Sequence, residues 1–433
     1  MQEAALSIGS SASKIGTKFM GLKRSIYKSS NKLRSLVARF LSPALLRLFP
    51  LKNLYRDYLN AAFSTKTDVY VPLSETHIDA DKSILKLIAF YLPQFHPLEV
   101  NDKAWGKGFT EWTNVSKATP QFKGHYQPRL PGELGFYDLR LKEVQQRQIE
   151  LARQYGIHGF CYHHYWFHGK RVMEAPFQQV LDNPDLDLPF CLCWANENWT
   201  RRWDGAEEDV LLSQEHSAED DIAFIKDIEP ALKDSRYIRI DGRPLLILYR
   251  PELLPDALKT AERWRTYARE SGIGELYLAS TAAFGFHDYE KIGFDALIQF
   301  PPHNIKQKKA YKTLYNLSFN GHIHDYTLIP QKALEALDPE KNHFPTVMME
   351  WDNEARKPGQ GSVFYGASPA IYQQWLSDAG KYVVSTKNPK EQFVFINAWN
   401  EWAEGTYLEP DRKYGYAYLQ ATANVVHDFY LDP

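Results

Sequence analysis

Cysteine is scarce in this chain of 433 residues: there are three, Cys161, Cys191 and Cys193, each inside an apolar run. So placed, they read as reduced core side chains, which excludes a disulfide-stapled secreted fold and suits a reducing compartment. No run approaches the ~18 apolar residues of a membrane span. The opening Met1-Gln2-Glu3-Ala4-Ala5 has neither the cationic n-region nor the apolar h-region of a signal peptide. A cytoplasmic protein is therefore expected. No internal repeat stands out, and the absence of a glycine-rich phosphate turn leaves no nucleotide-sugar site resolved. His163, His164 and His168 lie close together. No Cys or carboxylate at ligand spacing accompanies them, so hydrogen bonding to hydroxyls is the better reading, and neither metal nor cofactor is expected.

Net charge is only −2, but unevenly spread: residues 1–60 hold 11 Lys/Arg against 2 Asp/Glu, and the remainder carries 40 basic and 51 acidic groups. An acidic body argues against nucleic acid as a partner. Residues 1–80, rich in Ser and Lys/Arg, read as a basic, partly helical extension or linker ahead of a body spanning 85–433. Within it Leu33, Leu36, Val37, Phe40 and Leu41 recur at helical spacing until Pro43 interrupts them. Two readings stand beside each other: a solvated basic linker, and peripheral contact with an anionic inner membrane through residues 14–56.

From about residue 85 short apolar runs alternate with helical segments. The strand candidates are 87–92, 157–162, 190–194, 245–249, 276–280, 296–300, 346–350 and 393–398; helices are expected over 139–155, 218–232, 255–270, 368–382 and 416–429. Eight buried strands alternating with helices predict an α/β fold, a (β/α)8 TIM barrel with its active site at the C-terminal strand ends.

Those strand ends are crowded with polar and aromatic residues, in a chain that is 14% aromatic. Tyr91 and His96 follow the first run, with Trp105, Glu111 and Trp112 in the connection after it. Tyr162 and His163 follow the second, Trp194, Asn196, Glu197 and Trp199 the third, Glu350 and Trp351 the seventh. After the eighth comes Trp399-Asn400-Glu401-Trp402-Ala403-Glu404-Gly405-Thr406. Flat rings pack on the apolar faces of sugars, and paired carboxylates move protons and stabilise charge at an anomeric carbon. Glu401 and Glu404, three residues apart in one turn, are the favoured catalytic pair, with mutual repulsion and burial raising one pKa. Glu197 with Glu350 is the competing pair. The other residues named, Asn400 and Trp402 among them, are candidates for binding an oligosaccharide or polysaccharide. Three Asn-x-Ser/Thr sequons, at Asn114, Asn198 and Asn316, read as accidental without a secretion signal.

The motifs resemble the WbsX-like proteins, a family labelled glycosyltransferase and related to glycoside hydrolase family 99, the endo-α-1,2-mannosidases and mannanases. The resemblance rests on Ala89-Phe90-Tyr91-Leu92-Pro93-Gln94-Phe95-His96 with Gly108-Phe109-Thr110-Glu111-Trp112, on Gly159-Phe160-Cys161-Tyr162-His163-His164-Tyr165-Trp166, and on Trp194-Ala195-Asn196-Glu197-Asn198-Trp199-Thr200. It covers about 85–425. The hydrolases have Asn-Glu-Trp-His-Glu-Gly-Thr where this chain has Asn400-Glu401-Trp402-Ala403-Glu404-Gly405-Thr406. The resemblance implies that Glu401 deprotonates the substrate 2-hydroxyl to form a 1,2-anhydro sugar. Glu404 would protonate the leaving oxygen and then activate the acceptor, with retention of configuration. Ala403 stands where the hydrolases have His and puts mannose specificity, and water as acceptor, in question. The resemblance also implies a role in bacterial O-antigen, lipopolysaccharide or capsule metabolism. Two alternatives remain: transfer from an activated sugar donor, and a non-catalytic glycan-binding barrel, in which Glu401 and Glu404 would be too far apart or salt-bridged.

Overall fold

The computed structural model describes residues 51–63, 68–75, 77–201 and 206–431. The pattern at 33–41, most of the expected membrane-contact segment 14–56, and Arg202-Trp203-Asp204 lie outside the described residues. Eight parallel strands form one sheet: β1 (Lys86–Tyr91), β2 (Gly159–Phe167), β3 (Phe190–Trp194), β4 (Arg243–Leu248), β5 (Tyr277–Ala282), β6 (Ala296–Gln299), β7 (Thr346–Met348) and β8 (Phe393–Asn397). They are buried on both faces, which is why they read as continuous apolar runs rather than alternating ones. Neighbours follow chain order from β1 to β6, while β1 also pairs with β8 and β8 with β7. The two-residue strand His343–Phe344 pairs with β6 and is separated from β7 by Pro345 alone. One run, 343–348, thus closes the ring, divided where proline has no N–H to give the ladder. The Pro345 carbonyl still accepts from Phe395 N at 3.0 Å. The architecture is the expected (β/α)8 barrel.

Around it lie α1 (Lys142–Gln154), α2 (Glu174–Asp182), α3 (Ala218–Asp227), α4 (Ala257–Glu270), α5 (Ile329–Glu335), α6 (Pro369–Thr386) and α7 (Ala417–Asp428). Between β5 and β6 a single 3-10 turn, Tyr289–Ile292, takes the helix position. Several starts carry capping side chains: Ser217, Asp256 and Ser368 accept from the backbone N–H three residues on, satisfying donors the helix leaves unpaired. In α4, Thr260, Ala261, Trp264 and Ala268 form one buried face against the barrel. Ahead of the barrel is the helix Leu51–Phe63. The segment from residue 68 runs along the body, with Val71 N donating to Tyr414 O at 3.1 Å and Ile78 N to Gln154 O at 2.9 Å. Among the described residues no helix is long and apolar enough to cross a membrane.

Two small features above the barrel matter for the site. Beyond β8, Asn400–Glu401 pairs antiparallel with Thr406–Tyr407 around the 3-10 turn Trp402–Glu404. The turn closes at Gly405, with φ +65°, where an added Cβ would meet Asp352 Cβ at 2.8 Å; only glycine meets both demands. Beside it, His322–Asp325, Ser362–Tyr365 and Trp351–Asp352 form a three-stranded sheet.

Candidate active site

A cavity of about 450 Å³ opens at the C-terminal ends of the strands. His163 and Tyr165 enter it from β2, Glu197 and Trp199 from the loop after β3, and Phe300 and His303 from beyond β6. Trp351, Asn353, Arg356 and Lys357 follow β7, and Glu401 and Glu404 come from the turn after β8. Trp199 packs on Tyr165 with centroids 5.5 Å apart, and Phe300 stands edge-on to Tyr249 at 5.1 Å. Aromatic rings thus share the walls with charged side chains, most of which come from beyond β7 and β8.

That charge is organised by Arg356. Its Nη1 donates to Glu404 Oε1 at 2.6 Å and its Nη2 to Glu401 Oε2 at 2.9 Å. Nη2 and Nε also reach Glu111 Oε2, at 2.8 and 3.0 Å. Glu111 is fully buried on the helix Glu111–Lys117, and its Oε1 accepts from Asn114 Nδ2 at 3.1 Å. A carboxylate with no access to water thus anchors the guanidinium, which holds the two cavity carboxylates side by side. Burial works against the charge on Arg356, but Glu111, Glu401 and Glu404 hold its pKa well above the ordinary value. Burial pushes the Glu401 carboxyl up to about 7; the Arg356 charge opposes this and the Glu404 charge adds to it. Burial also opposes a charge on His163, yet its neighbour Cys193 and then the two glutamates raise its pKa.

Of the residues expected from sequence, His163, Glu197, Trp199, Trp351, Glu401 and Glu404 line this cavity. Glu111 stands behind it, reaching the cavity through Arg356. The remainder serve the frame. Asn400 holds both backbone groups of Leu92, at 2.8 and 3.0 Å, and Asn196 does the same for Arg250, at 2.8 and 2.7 Å. Trp402 stacks on Tyr407 at 3.8 Å and donates to Glu409, Trp112 donates to the Tyr137 carbonyl, and Trp194 stacks on Phe224 at 4.3 Å. Tyr91 and Tyr162 pack against each other in the core, and Tyr91 donates to Gln148. His96 is buried, its pKa lowered by that burial, and Trp105 packs on Phe109. These aromatic and amide side chains sit at strand ends but turn into the packing beneath and beside the cavity.

The competing carboxylate pair is not brought together. Glu197 is in the cavity, where Arg250 Nη1 lies 2.5 Å away, while Glu350 is buried against Arg129 and accepts from Tyr418 OH at 3.0 Å. The three histidines also diverge: His163 faces the cavity, His164 is buried with Nε2 3.8 Å from Asp227, and His168 is exposed beside the Glu215 carbonyl. Among the described residues no group of three His, Cys, Asp or Glu is placed to hold a metal ion. The sequence holds two Asp-x-Asp triplets, Asp79-Ala80-Asp81 and Asp185-Leu186-Asp187, and none of these acids lines the cavity; Asp185 pairs with Lys142 and Asp187 with Arg153. Sequence reasoning missed Arg356, which shows there only as one arginine in the loop carrying Trp351; Tyr249, His303 and Lys357 carry no motif at all.

The profile of the family described as "Glycosyltransferase WbsX" matches residues 87–422. The uncharacterized protein WxcX of Xanthomonas campestris pv. campestris strain B100 is 48% identical over 338 residues, 78% of this chain and 49% of that protein. Its counterpart in strain ATCC 33913 gives the same figures. The chain spans about half the length of these curated relatives. Among solved structures, a protein described as glycoside hydrolase-like aligns with TM-score 0.52 and 16% identity over 84% of this chain and 99% of that one. The GH99 endo-alpha-mannosidase from Bacteroides thetaiotaomicron aligns with TM-score 0.48 and 17% identity over 79% and 96%. With the family profile covering the barrel from β1 into α7, the chain belongs to the WbsX glycosyltransferase family.

Proposed function

We propose that the chain is a carbohydrate-active enzyme that breaks or exchanges α-glycosidic bonds with retention, using Glu401 and Glu404. The observation that carries this is the pair itself: two carboxylates from one turn, facing one aromatic-walled cavity and held on one guanidinium. Glu401, with a pKa near 7, is matched to proton transfer close to neutral pH. The proposed step takes Glu401 as the base and Glu404 as the acid. Glu401 takes the proton of the C2 hydroxyl, whose oxygen attacks the anomeric carbon, while Glu404 protonates the leaving oxygen. Ionised Glu404 then takes a proton from the acceptor, whose oxygen opens the 1,2-anhydro ring at the anomeric carbon, and Glu401 returns its proton to O2. The family's description supports a saccharide acceptor, and the resemblance to surface-polysaccharide proteins supports a role in bacterial O-antigen or capsule metabolism.

The test is turnover of α-linked oligosaccharides, with manno-oligosaccharides first. Glu401→Gln and Glu404→Gln should each remove about 10² to 10⁴-fold of activity; an active double variant sinks the assignment. One observation favours a second reading, the non-catalytic glycan-binding barrel, because both carboxylates are salt-bridged to Arg356. That reading predicts oligosaccharide binding that survives both substitutions, with no product from the unaltered chain. Transfer from an activated donor predicts heat of binding in calorimetry with nucleotide sugars and Mg²⁺ or Mn²⁺.

A further inference from the structure

We propose that the barrel face around the cavity mouth docks on an anionic lipid bilayer through the loop that follows β6. Between Asp295 and Asp325 the chain has four lysines, Lys306, Lys308, Lys309 and Lys312, and no acidic residue, in a body that otherwise carries more acid than base. Lys306, Lys308 and Lys309 are exposed, and none has an ion-pair partner among the described residues. Tyr311, between Lys309 and Lys312, is 89% exposed. The loop starts beside the cavity, which Phe300 and His303 line. Its far end, His322–Asp325, joins through Ser362–Tyr365 to Trp351–Asp352, where Trp351 lines the same cavity.

The other side of the loop meets the helix Leu51–Phe63, where Tyr315 OH donates to Asp57 Oδ2 at 2.6 Å. An open groove of about 790 Å³ runs between them beside the exposed Tyr55 and Tyr58. That helix falls at the end of the basic region 1–60, so the same loop that carries the four lysines also meets the segment on which that region ends. Lysine ammoniums attract an anionic surface without the forked geometry that selects one ligand. Exposed tyrosines suit the headgroup layer, where one end of the ring is apolar and the other wet. The acidic remainder of the body is repelled from such a surface, which leaves this face as the one that approaches. Docking depends on none of the chemistry proposed for the cavity. Joined to the glycan reading, on which this last step rests, it makes the substrate a glycan carried on a membrane lipid.

Vesicle flotation of the full chain tests the docking apart from catalysis. The chain should float with phosphatidylcholine vesicles containing about 30% phosphatidylglycerol, and not with phosphatidylcholine alone. Lys306→Gln, Lys308→Gln and Lys309→Gln together should weaken this at least about tenfold, at roughly a factor of five per lysine near the surface. All three sites are exposed, so the fold stays intact by circular dichroism. An environment-sensitive dye on Tyr311→Cys, the native cysteines being buried, should shift to the blue on the anionic vesicles. Flotation of the triple variant equal to that of the unaltered chain, or a dye that ignores the vesicles, overturns the proposal. So does loss of binding by the triple variant to a soluble anionic polysaccharide without any flotation of the unaltered chain.

Discussion

One arginine joins the two carboxylates of the turn after β8. Arg356 lowers the Glu401 pKa, and Glu111 raises it directly while holding the guanidinium in place. Replacing Arg356 by Gln removes the opposing cation, so Glu401 keeps its proton to higher pH. The acid limb of kcat/KM, which reports ionisation of the base in free enzyme, should then move from about 7 to a higher midpoint. Glu111→Gln should move it lower, because one negative charge leaves and the guanidinium is shared by two carboxylates instead of three. Limbs that stay at one pH in both variants would mean that Arg356 does not tune Glu401. An independent readout is the carbonyl band of protonated Glu401 in infrared pH titration, assigned by its loss in Glu401→Gln. Glu401 and Glu404 were legible in the sequence because strand-end acids flanked by tryptophan and glycine are unusual. Arg356 was not, since nothing local marks which of many loop arginines will meet two acids from a turn some 45 residues further on.

Between elements, the strand ends are joined by amides. Asn196, after β3, accepts from Arg250 N and donates to its carbonyl beyond β4; Asn400, after β8, clasps Leu92 beyond β1 in the same way. Each supplies the pairing that the ladder stops providing where the strands splay towards the cavity. Asn400→Ala leaves the buried Leu92 N–H and carbonyl unpaired, at about 1–3 kcal/mol for each unsatisfied group. Urea unfolding should show that loss; an Asn400→Ala variant as stable as the unaltered chain would contradict the clasp. Both asparagines were read from sequence as sugar ligands, because a polar residue at a strand end looks alike whether it faces the cavity or a neighbouring strand. The eight strands were legible because doubly buried strands are apolar throughout. The break at Pro345 was not, nor the three-stranded sheet, whose segments of two to four residues are too short to show a period.

For the molecule as a whole, burial of titratable groups sets the pH at which the fold is most stable. Burial raises Glu401 and Glu409 to about 7 and Glu354 to about 8, from 4.5. Each such group stabilises the fold fully below pH 4.5 and loses that contribution as pH rises through the folded value, since the folded state holds the extra proton. Burial lowers His158 and His343 to about 4 and His164 to about 3. These act in the opposite sense: the unfolded chain binds their protons below about 6.5, so stability falls as pH drops from there. Asp221, Asp227 and Asp411, raised by burial, join the carboxyls, and His96, His216 and His324, lowered by it, join the histidines. Between about 4.5 and 6.5 the two sets offset one another; above 6.5 the unfolded histidines are neutral, and the raised glutamates, joined by His163, still lose protons in the folded chain. Burial opposes a charge on Cys193, but hydrogen bonds from Cys161 and His163 outweigh it and lower the thiol to about 6, so this group acts in the opposite sense. The melting temperature should therefore peak near pH 6.5 and decline towards pH 8, where a surface-dominated charge set would give a flat profile. Glu354→Gln, whatever its effect at the peak, should flatten the decline between pH 7 and 8, because it removes the group that titrates last. Melting curves that rise from pH 6.5 to 8 would show that the buried glutamates do not keep their protons in the folded chain.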